Sequence, residues 1–488
     1  MKHTPRRSCK IPALCACLLA GVLAAGCGGG TAPDESAADT TAAETEEENE
    51  MNAKNVVISR AGDVPGFTLV FDTGADENVR LNILLIRDTV RALGGGEMPM
   101  ADELFANKES DREIVVGGKK RPEAAALAAT LSDGEYAIRV VRDPASGTIR
   151  VVLAYEGAFA RMAAIDRFVS DCLVCAENGD VTVPADLDLR GRCTEADVMI
   201  TSSIPSLRDP FVLLGDDGTY YAYGTGWVYY KNTSGSLSGP WAGPYNCVQT
   251  PADAGADFWA PEVHRYNGKY YMFTTYRSKA TGHRGCTVLR TDTPEGPFVQ
   301  ISDGHVTPKD WDAIDGTFFL DAHGQPWMVF VHEWTSTPNG VGRMAAAKLS
   351  DDLSRFVSEP VELFDAKSPS WAKNNVTDGC FLWRLSDGGL MMLWSNWDVR
   401  GYCVGVAFSE NGEVDGPWKQ TSRRLYSAGL TGGYDGGHGM IFADRDGQLY
   451  LALHSPNSAT ADRGCVPVFL PVREFAGTLV WDVWNQVR

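Results

Sequence analysis

The chain has 488 residues, 44% of them hydrophobic and 22% charged, with a formal charge of −19 and a pI near 4.9. That length exceeds one compact core and predicts two or three domains. The acidic balance excludes a nucleic-acid binder, which needs a basic face.

The first predicted segment is a targeting signal. Lys2, Arg6, Arg7 and Lys10 form a basic start, and 11–25 is an apolar run too short to persist as a membrane span. It ends in Leu23-Ala24-Ala25-Gly26-Cys27, which resembles a bacterial lipoprotein signal with Cys27 as the lipidated residue; Ala24 stands where that signal usually has Leu. Residues 1–27 are read as the signal. The mature chain is expected outside the cytoplasm, on the bacterial membrane through that anchor alone. Residues 28–51 contain no aromatic residue, and 34–50 hold eight acids and no Lys or Arg, the composition of a solvated tether.

From 52 to 196, strands at 56–59, 67–71, 113–116, 136–141 and 149–154 are predicted between helices at 78–93, 122–131 and 157–174. Gly94-Gly95-Gly96 stops the first helix and Pro122 opens the second. The mixture predicts a small α/β domain. Residues 110–175 resemble the accessory domain found ahead of the catalytic domain in several glycosidase families. No acid pair there has a catalytic arrangement, so its expected role is packing against the next domain or orienting it above the tether. Eight cysteines follow the signal: Cys172, Cys175, Cys193, Cys247, Cys286, Cys380, Cys403 and Cys465. An oxidising compartment permits disulfides without fixing their pairing. Cys172-Leu173-Val174-Cys175 is read as structural, and no second such pair suggests zinc.

From 197 to 488 one phrase occurs five times: two short strands around a glycine turn. It spans 204–224, 260–275, 315–334, 377–394 and 436–457, turning at Gly218, Gly268, Gly324, Gly388 and Gly447. Repeats of roughly 50 to 65 residues made only of strands predict an all-β five-bladed β-propeller, one sheet per repeat. The first strand of each blade then lines the axis. Asp209, Glu262, Asp315, Asp378 and His438 open the five copies and are expected to converge at one mouth, with Asp209, Asp315 and Asp378 in the same phase of their blades. Ser238-Gly239-Pro240-Trp241, Glu295-Gly296-Pro297-Phe298 and Asp415-Gly416-Pro417-Trp418 repeat an outer turn.

Any one of these acids alone is best read as a turn residue. The set points to glycosidic hydrolysis, which needs two carboxyl groups facing across a cavity. One must be charged to activate water and the other protonated to serve the leaving oxygen. A third acid nearby raises the donor's pKa.

Arg208-Asp209-Pro210, Phe258-Trp259-Ala260-Pro261-Glu262, Ile314-Asp315-Gly316-Thr317-Phe318-Phe319, Thr377-Asp378-Gly379 and Gly436-Gly437-His438-Gly439 resemble glycoside hydrolase family 43 across nearly all of 200–475. The resemblance implies a five-bladed propeller that inverts the anomeric carbon, with Asp209 as general base, Asp315 as pKa modulator and Asp378 as general acid. The family's donor is usually Glu before Gly-Pro, whereas Asp378 precedes Gly379-Cys380. Glu262 and Glu333 are the other donor candidates, Glu333 being expected nearer the far mouth or in a loop because it ends a strand. Glu262, Trp259, Phe318 and His438 are candidate substrate-binding residues, and Trp397 a further sugar-stacking candidate; Trp394 is read as core. The resemblance also implies that His438 lies near the axis and can contact a metal such as calcium, although no cofactor is required. The expected substrate is a plant-type or related polysaccharide or oligosaccharide, cleaved by exo-acting α-L-arabinofuranosidase, β-xylosidase or β-galactofuranosidase or galactosidase chemistry. The alternative is a non-catalytic carbohydrate-binding propeller. A retaining fructosidase needs Asn-Asp-Pro where this chain has Arg208-Asp209-Pro210.

Overall fold

The computed structural model describes residues 53–72, 75–103, 110–118 and 120–487. The signal, Cys27 and the tether lie outside them.

The N-terminal part is built on a six-stranded mixed sheet. Its order is Met100–Asp102, Thr68–Phe71, Arg112–Val116, Thr148–Tyr155, Glu135–Asp143 and Asp188–Arg192. The first four strands are parallel, Glu135–Asp143 runs against them, and Asp188–Arg192, antiparallel to that strand, runs with the first four again. Helices cover both faces: α1 (Glu77–Ala92) and α3 (Ala158–Arg167) one, α2 (Pro122–Ala128) the other. That is why Ile114-Val115-Val116 is an unbroken apolar run. Ile114 and Val116 face α1 and α3, Val115 faces α2, and all three are buried. Along α1 the buried residues Val79, Ile83, Ile86 and Val90 form one stripe. The strands at 100–102 and 188–192, unforeseen in the sequence, are the two edges of this sheet, where short segments carry little periodicity. A separate small sheet joins Asn55–Ser59, Val181–Pro184 and Val174–Cys175.

The C-terminal part forms five antiparallel sheets. Their opening strands are Phe211–Leu214, Ala254–Tyr266, Ala313–Leu320, Asp378–Arg384 and Gly437–Ala443. Each opening strand neighbours the next, and the fifth lies beside the first, so the five form a closed ring. Sheet five also takes in Ile200–Thr201, from ahead of sheet one. Each sheet turns between its first two strands at a glycine of positive φ: Gly218, Gly268, Gly324, Gly388 and Gly447.

The opposite end of each opening strand carries a bulge. Two residues, Ala260-Pro261, Asp315-Gly316, Gly379-Cys380 or His438-Gly439, stand where the partner strand has one. Asp209-Pro210 lie correspondingly ahead of Phe211. The first residue of each pair has positive φ: Asp209 54°, Ala260 43°, Asp315 55°, Gly379 52° and His438 56°. This corrects the expected phase. Asp209, Asp315 and His438 are equivalent, but Asp378 stands one residue before its bulge and Glu262 directly after its own. The eight described cysteines are all free.

Candidate active site

The bulge residues meet at one mouth of the ring, and their N–H groups are held by one rule. The second-strand residue opposite the one just ahead of its own sheet's bulge accepts the bulge N–H of the next sheet. Thr225 Oγ1 accepts from Ala260 (3.1 Å), Thr275 Oγ1 from Asp315 (3.0 Å), Ser395 Oγ from His438 (2.8 Å) and His454 Nδ1 from Asp209 (3.1 Å). Sheet three has apolar Val331 at that position, paired with Ile314. The Gly379 N–H therefore donates to Asp315 Oδ2 instead, at 2.9 Å. A Cβ on Gly379 would stand 2.8 Å from His438 Cγ, so only glycine fits there.

Asp209 Oδ2 accepts from the Thr225 hydroxyl at 2.5 Å, and Oδ1 lies 3.3 Å from His438 Nδ1. Burial alone would raise its pKa, but His438, His454, Arg208 and the Thr225 hydroxyl together hold it below the ordinary carboxylate value. His454 has its Nδ1 occupied as an acceptor, leaving Nε2–H to donate to Asn457 Oδ1 at 3.1 Å. Burial pushes its pKa down to about 4 despite Asp209. It is thus neutral near pH 7, and His438 and Arg208 are the cations that keep Asp209 ionised.

Burial would lower the pKa of His438, yet Asp209, Asp315, Glu262 and Asp378 together raise it above the ordinary imidazole value. Its Nδ1 is 3.9 Å from Asp315 Oδ2. Asp315 is pushed up by burial, opposed by His438 and reinforced by Asp209. Asp378 is pushed well up by burial and then by Asp315; its Oδ2 accepts from the Tyr402 hydroxyl at 3.2 Å. The mouth therefore holds one carboxyl whose pKa is lowered and another whose pKa is raised, the pairing that acid–base hydrolysis needs. Among the described residues no group of three or more His, Cys, Asp or Glu side chains is arranged to hold a metal ion. The Nδ1 of His438 faces carboxylates, which suits a cation made of the ring itself.

The remaining candidates divide. Trp259 is half-buried with the Arg284 guanidinium 5.3 Å over its ring. Arg284 Nε donates to Glu333 Oε2 at 2.5 Å. Of the two places expected for Glu333, it takes the loop, directly after Pro326–His332, and not the far mouth, because that strand runs antiparallel to Ala313–Leu320. The end of the second strand stands beside the start of the first, and the Glu333 N–H donates to Asp312 O at 2.8 Å. It shares the mouth of Asp315, and burial lifts its pKa to about 7 against the opposing Arg284. Glu262 points down the axis, 3.0 Å from His264 Nε2. Phe318 packs on His264, Phe273 and Tyr266 and lines a cavity with Phe211, Phe381 and Met440 toward the turn end, away from the acids. It is not a floor for sugar at the acidic mouth. Trp394 is core, packed on Trp371 and Phe364. Thr225, Thr275, Ser395, His454, Tyr402 and Arg284 escaped the sequence reading. Antiparallel pairing is the signal that finds the first four, since each lies opposite the residue just ahead of an opening bulge.

The family model described as Glycosyl hydrolases family 43 matches residues 204–468. An extracellular exo-α-(1→5)-L-arabinofuranosidase of Cellvibrio japonicus is 27% identical over 231 residues, 41% of this chain and 63% of that protein. A probable arabinan endo-1,5-α-L-arabinosidase C of Aspergillus niger is 26% identical over 205 residues, 39% and 58% of the two chains. The chain thus spans less than two thirds of the length of these relatives. The crystal structure of an endo-arabinase from Bacteroides thetaiotaomicron is 35% identical, with a TM-score of 0.51, and covers 58% of this chain and 99% of its own.

Proposed function

This chain belongs to glycosyl hydrolase family 43, and from that premise we propose an inverting glycosidase that cleaves arabinofuranosyl linkages of a plant-type polysaccharide or its oligosaccharides. The five sheets are read as the blades of a propeller over 197–488, and 52–196 as its accessory domain. The observation that carries the reading is the placing of two carboxyls in one mouth in opposed surroundings: Asp209 beside the Thr225 hydroxyl and His438, which lower its pKa, and Asp378 buried near Asp315 against Tyr402, with its pKa raised. Asp209 activates the attacking water. Asp378 delivers the proton to the leaving oxygen. Asp315, fixed by the Gly379 N–H, keeps the donor's proton in place through like-charge repulsion. His438 balances the acids, and Trp259 offers a ring to the sugar. No cofactor enters this scheme. The arabinofuranosyl preference rests on the names of the relatives; xylosyl and galactofuranosyl bonds are the other substrates to test.

A second reading has its own support. Glu333 is buried in the same mouth, oriented by Arg284, and its pKa near 7 suits a donor at neutral pH. In it, Asp378 orients and Glu333 delivers the proton. Asp378→Asn and Glu333→Gln separate the two. The true donor variant loses hydrolysis of alkyl or sugar leaving groups yet keeps that of a dinitrophenyl glycoside, which leaves unprotonated. The whole proposal is tested with a panel of chromogenic glycosides and α-1,5-arabinan on wild type and Asp209→Asn, with NMR of the first-formed anomer. Sugar binding without turnover on every substrate would make the ring a binding module, and a retained anomer would overturn inversion.

Among the described residues no helix is long and apolar enough to cross a membrane. We place the protein outside the cytoplasm, anchored through a lipid on Cys27. Incorporation of labelled fatty acid that disappears in Cys27→Ala is the expected result.

A further inference from the structure

The N-terminal domain packs on the ring over a broad apolar face, where Phe159 meets Trp481 and Arg161 Nη2 donates to Leu430 O at 2.6 Å; two further polar contacts stand apart from each other. At the turn end of sheet five, Arg473 Nη2 donates to Asp166 Oδ1 at 2.5 Å. At the acidic mouth the contact is the start of α1. Asn78 Nδ2 donates to Asp398 Oδ2 at 3.2 Å, and Arg424 Nε stands 3.4 Å from the same oxygen. Arg400 Nε donates to Asp76 Oδ2 at 3.1 Å. Asn78, Asp398 and Arg424 are all buried.

Asp398 closes the second strand of sheet four, and its Oδ1 accepts the Arg400 N–H at 2.7 Å to shape the turn into the third strand. The residues flanking that turn reach the site. Trp397 packs on Tyr402 with ring centroids 4.5 Å apart, and the Tyr402 hydroxyl donates to Asp378 at 3.2 Å. Asp398 is thus a buried carboxylate satisfied jointly by the two domains, one residue from a ring on the rim and one turn from the group that holds Asp378. The ion pair of Asp398 with Arg424 lies within the ring; the Asn78 amide adds a donor from the other domain, and its loss leaves a buried carboxylate short of a hydrogen bond, which draws the turn toward water. The path is made of short, directional contacts, and nothing comparable leaves the Arg473 contact toward the acids.

We infer that the N-terminal domain is a working part of the active site: through Asn78 and Asp398 it fixes the hairpin carrying Trp397 and Tyr402, and these two are positioning residues for Asp378. The inference rests on the reading that Asp378 takes part in proton delivery.

The test uses the full chain with Asn78→Leu, Asp398→Ala, Asp398→Asn, Arg473→Ala and Asp378→Asn, measuring kcat and KM separately, the pH profile of kcat, and Tm. Since displacements near 1 Å can cost up to about 100-fold, Asn78→Leu and Asp398→Ala should lower kcat by about tenfold or more and move the alkaline limb, with KM changed less than about threefold. Asp398→Asn, which keeps the shape, should recover part of the loss. Arg473→Ala breaks the other contact and should leave kcat and the limb in place. Unchanged kcat and limb in Asn78→Leu and Asp398→Ala overturn the inference, as does an equal loss in Arg473→Ala at a matched fall in Tm. An inactive Asp378→Asn beside an unaffected Asn78→Leu sinks the inference alone. A fully active Asp378→Asn sinks the reading of Asp378 and the inference with it.

Discussion

The two ends of the ring need the same backbone and obtain it differently. At the turn end, left-handed φ falls on Gly218, Gly268, Gly324, Gly388 and Gly447, where it costs nothing. At the acidic end the same region is occupied by Asp209, Ala260, Asp315 and His438, with glycine only at Gly379. Left-handed backbone costs a residue with a Cβ about 1–2 kcal/mol. The acidic end bears that strain because a glycine there would present no side chain to the axis. Strain on one end and ease on the other is how a repeat spends its irregularity where the chemistry is.

The largest effect that sharpens this contrast is Asp209→Asn. Asn tolerates the left-handed region as Asp does, so Tm should barely move while turnover falls by roughly 10²- to 10⁴-fold. Glycoside hydrolysis alongside a melting curve reads both. Next comes a matched pair of glycines. Gly379→Ala brings a Cβ within 2.8 Å of the His438 ring and disturbs the N–H held by Asp315, and should lower kcat by at least about tenfold with a marked fall in Tm. Gly388→Ala has nothing within 4 Å of the new Cβ, so it should cost about 1–2 kcal/mol of stability with activity intact. Equal activity losses in the two would erase the distinction between the ends.

The acidic end also makes the fold sensitive to pH. His454 titrates near 4 in the fold against an ordinary 6.5. Below pH 6.5 the unfolded chain takes up a proton that the folded one refuses until about pH 4. Its contribution is whole above that window and shrinks across it, by about 3 kcal/mol in all. Melting between pH 7 and 4.5 should show this slope, and His454→Gln should flatten it. The smallest expected effect is Val331→Thr. It supplies the acceptor that sheet three lacks, drawing the Gly379 N–H from Asp315. Turnover should fall roughly 2- to 10-fold, the worth of one hydrogen bond, in initial-rate assays.

Much of this architecture was legible beforehand. The five hairpins, their glycine turns and the order of helices and strands in the N-terminal domain follow from periodicity and turn chemistry. The bulge register was misread because the acids were matched by chemical type rather than by position. Counting back nine residues from Gly218, Gly324, Gly388 and Gly447 lands on Asp209, Asp315, Gly379 and His438, which shows Asp378 out of phase. The far mouth stayed open to Glu333 for want of the pairing rule, since strand ends say nothing of mouths until strand direction is assigned. Contacts such as Asn78 with Asp398 leave no local trace, because the partners are 320 residues apart.

The chain of N–H acceptors has a bearing on how the molecule is made. The backbone of Asp209, in the first sheet synthesised, is held by His454, from the last. Closing a contact across 245 residues is slow to come by, and no earlier sheet offers a substitute. A nascent or truncated chain ending at sheet four would carry Asp209, Asp315 and Asp378 without His438 or the His454 ring that holds the Asp209 backbone. The contacts around Asp209 are thus completed only when the last sheet closes on the first.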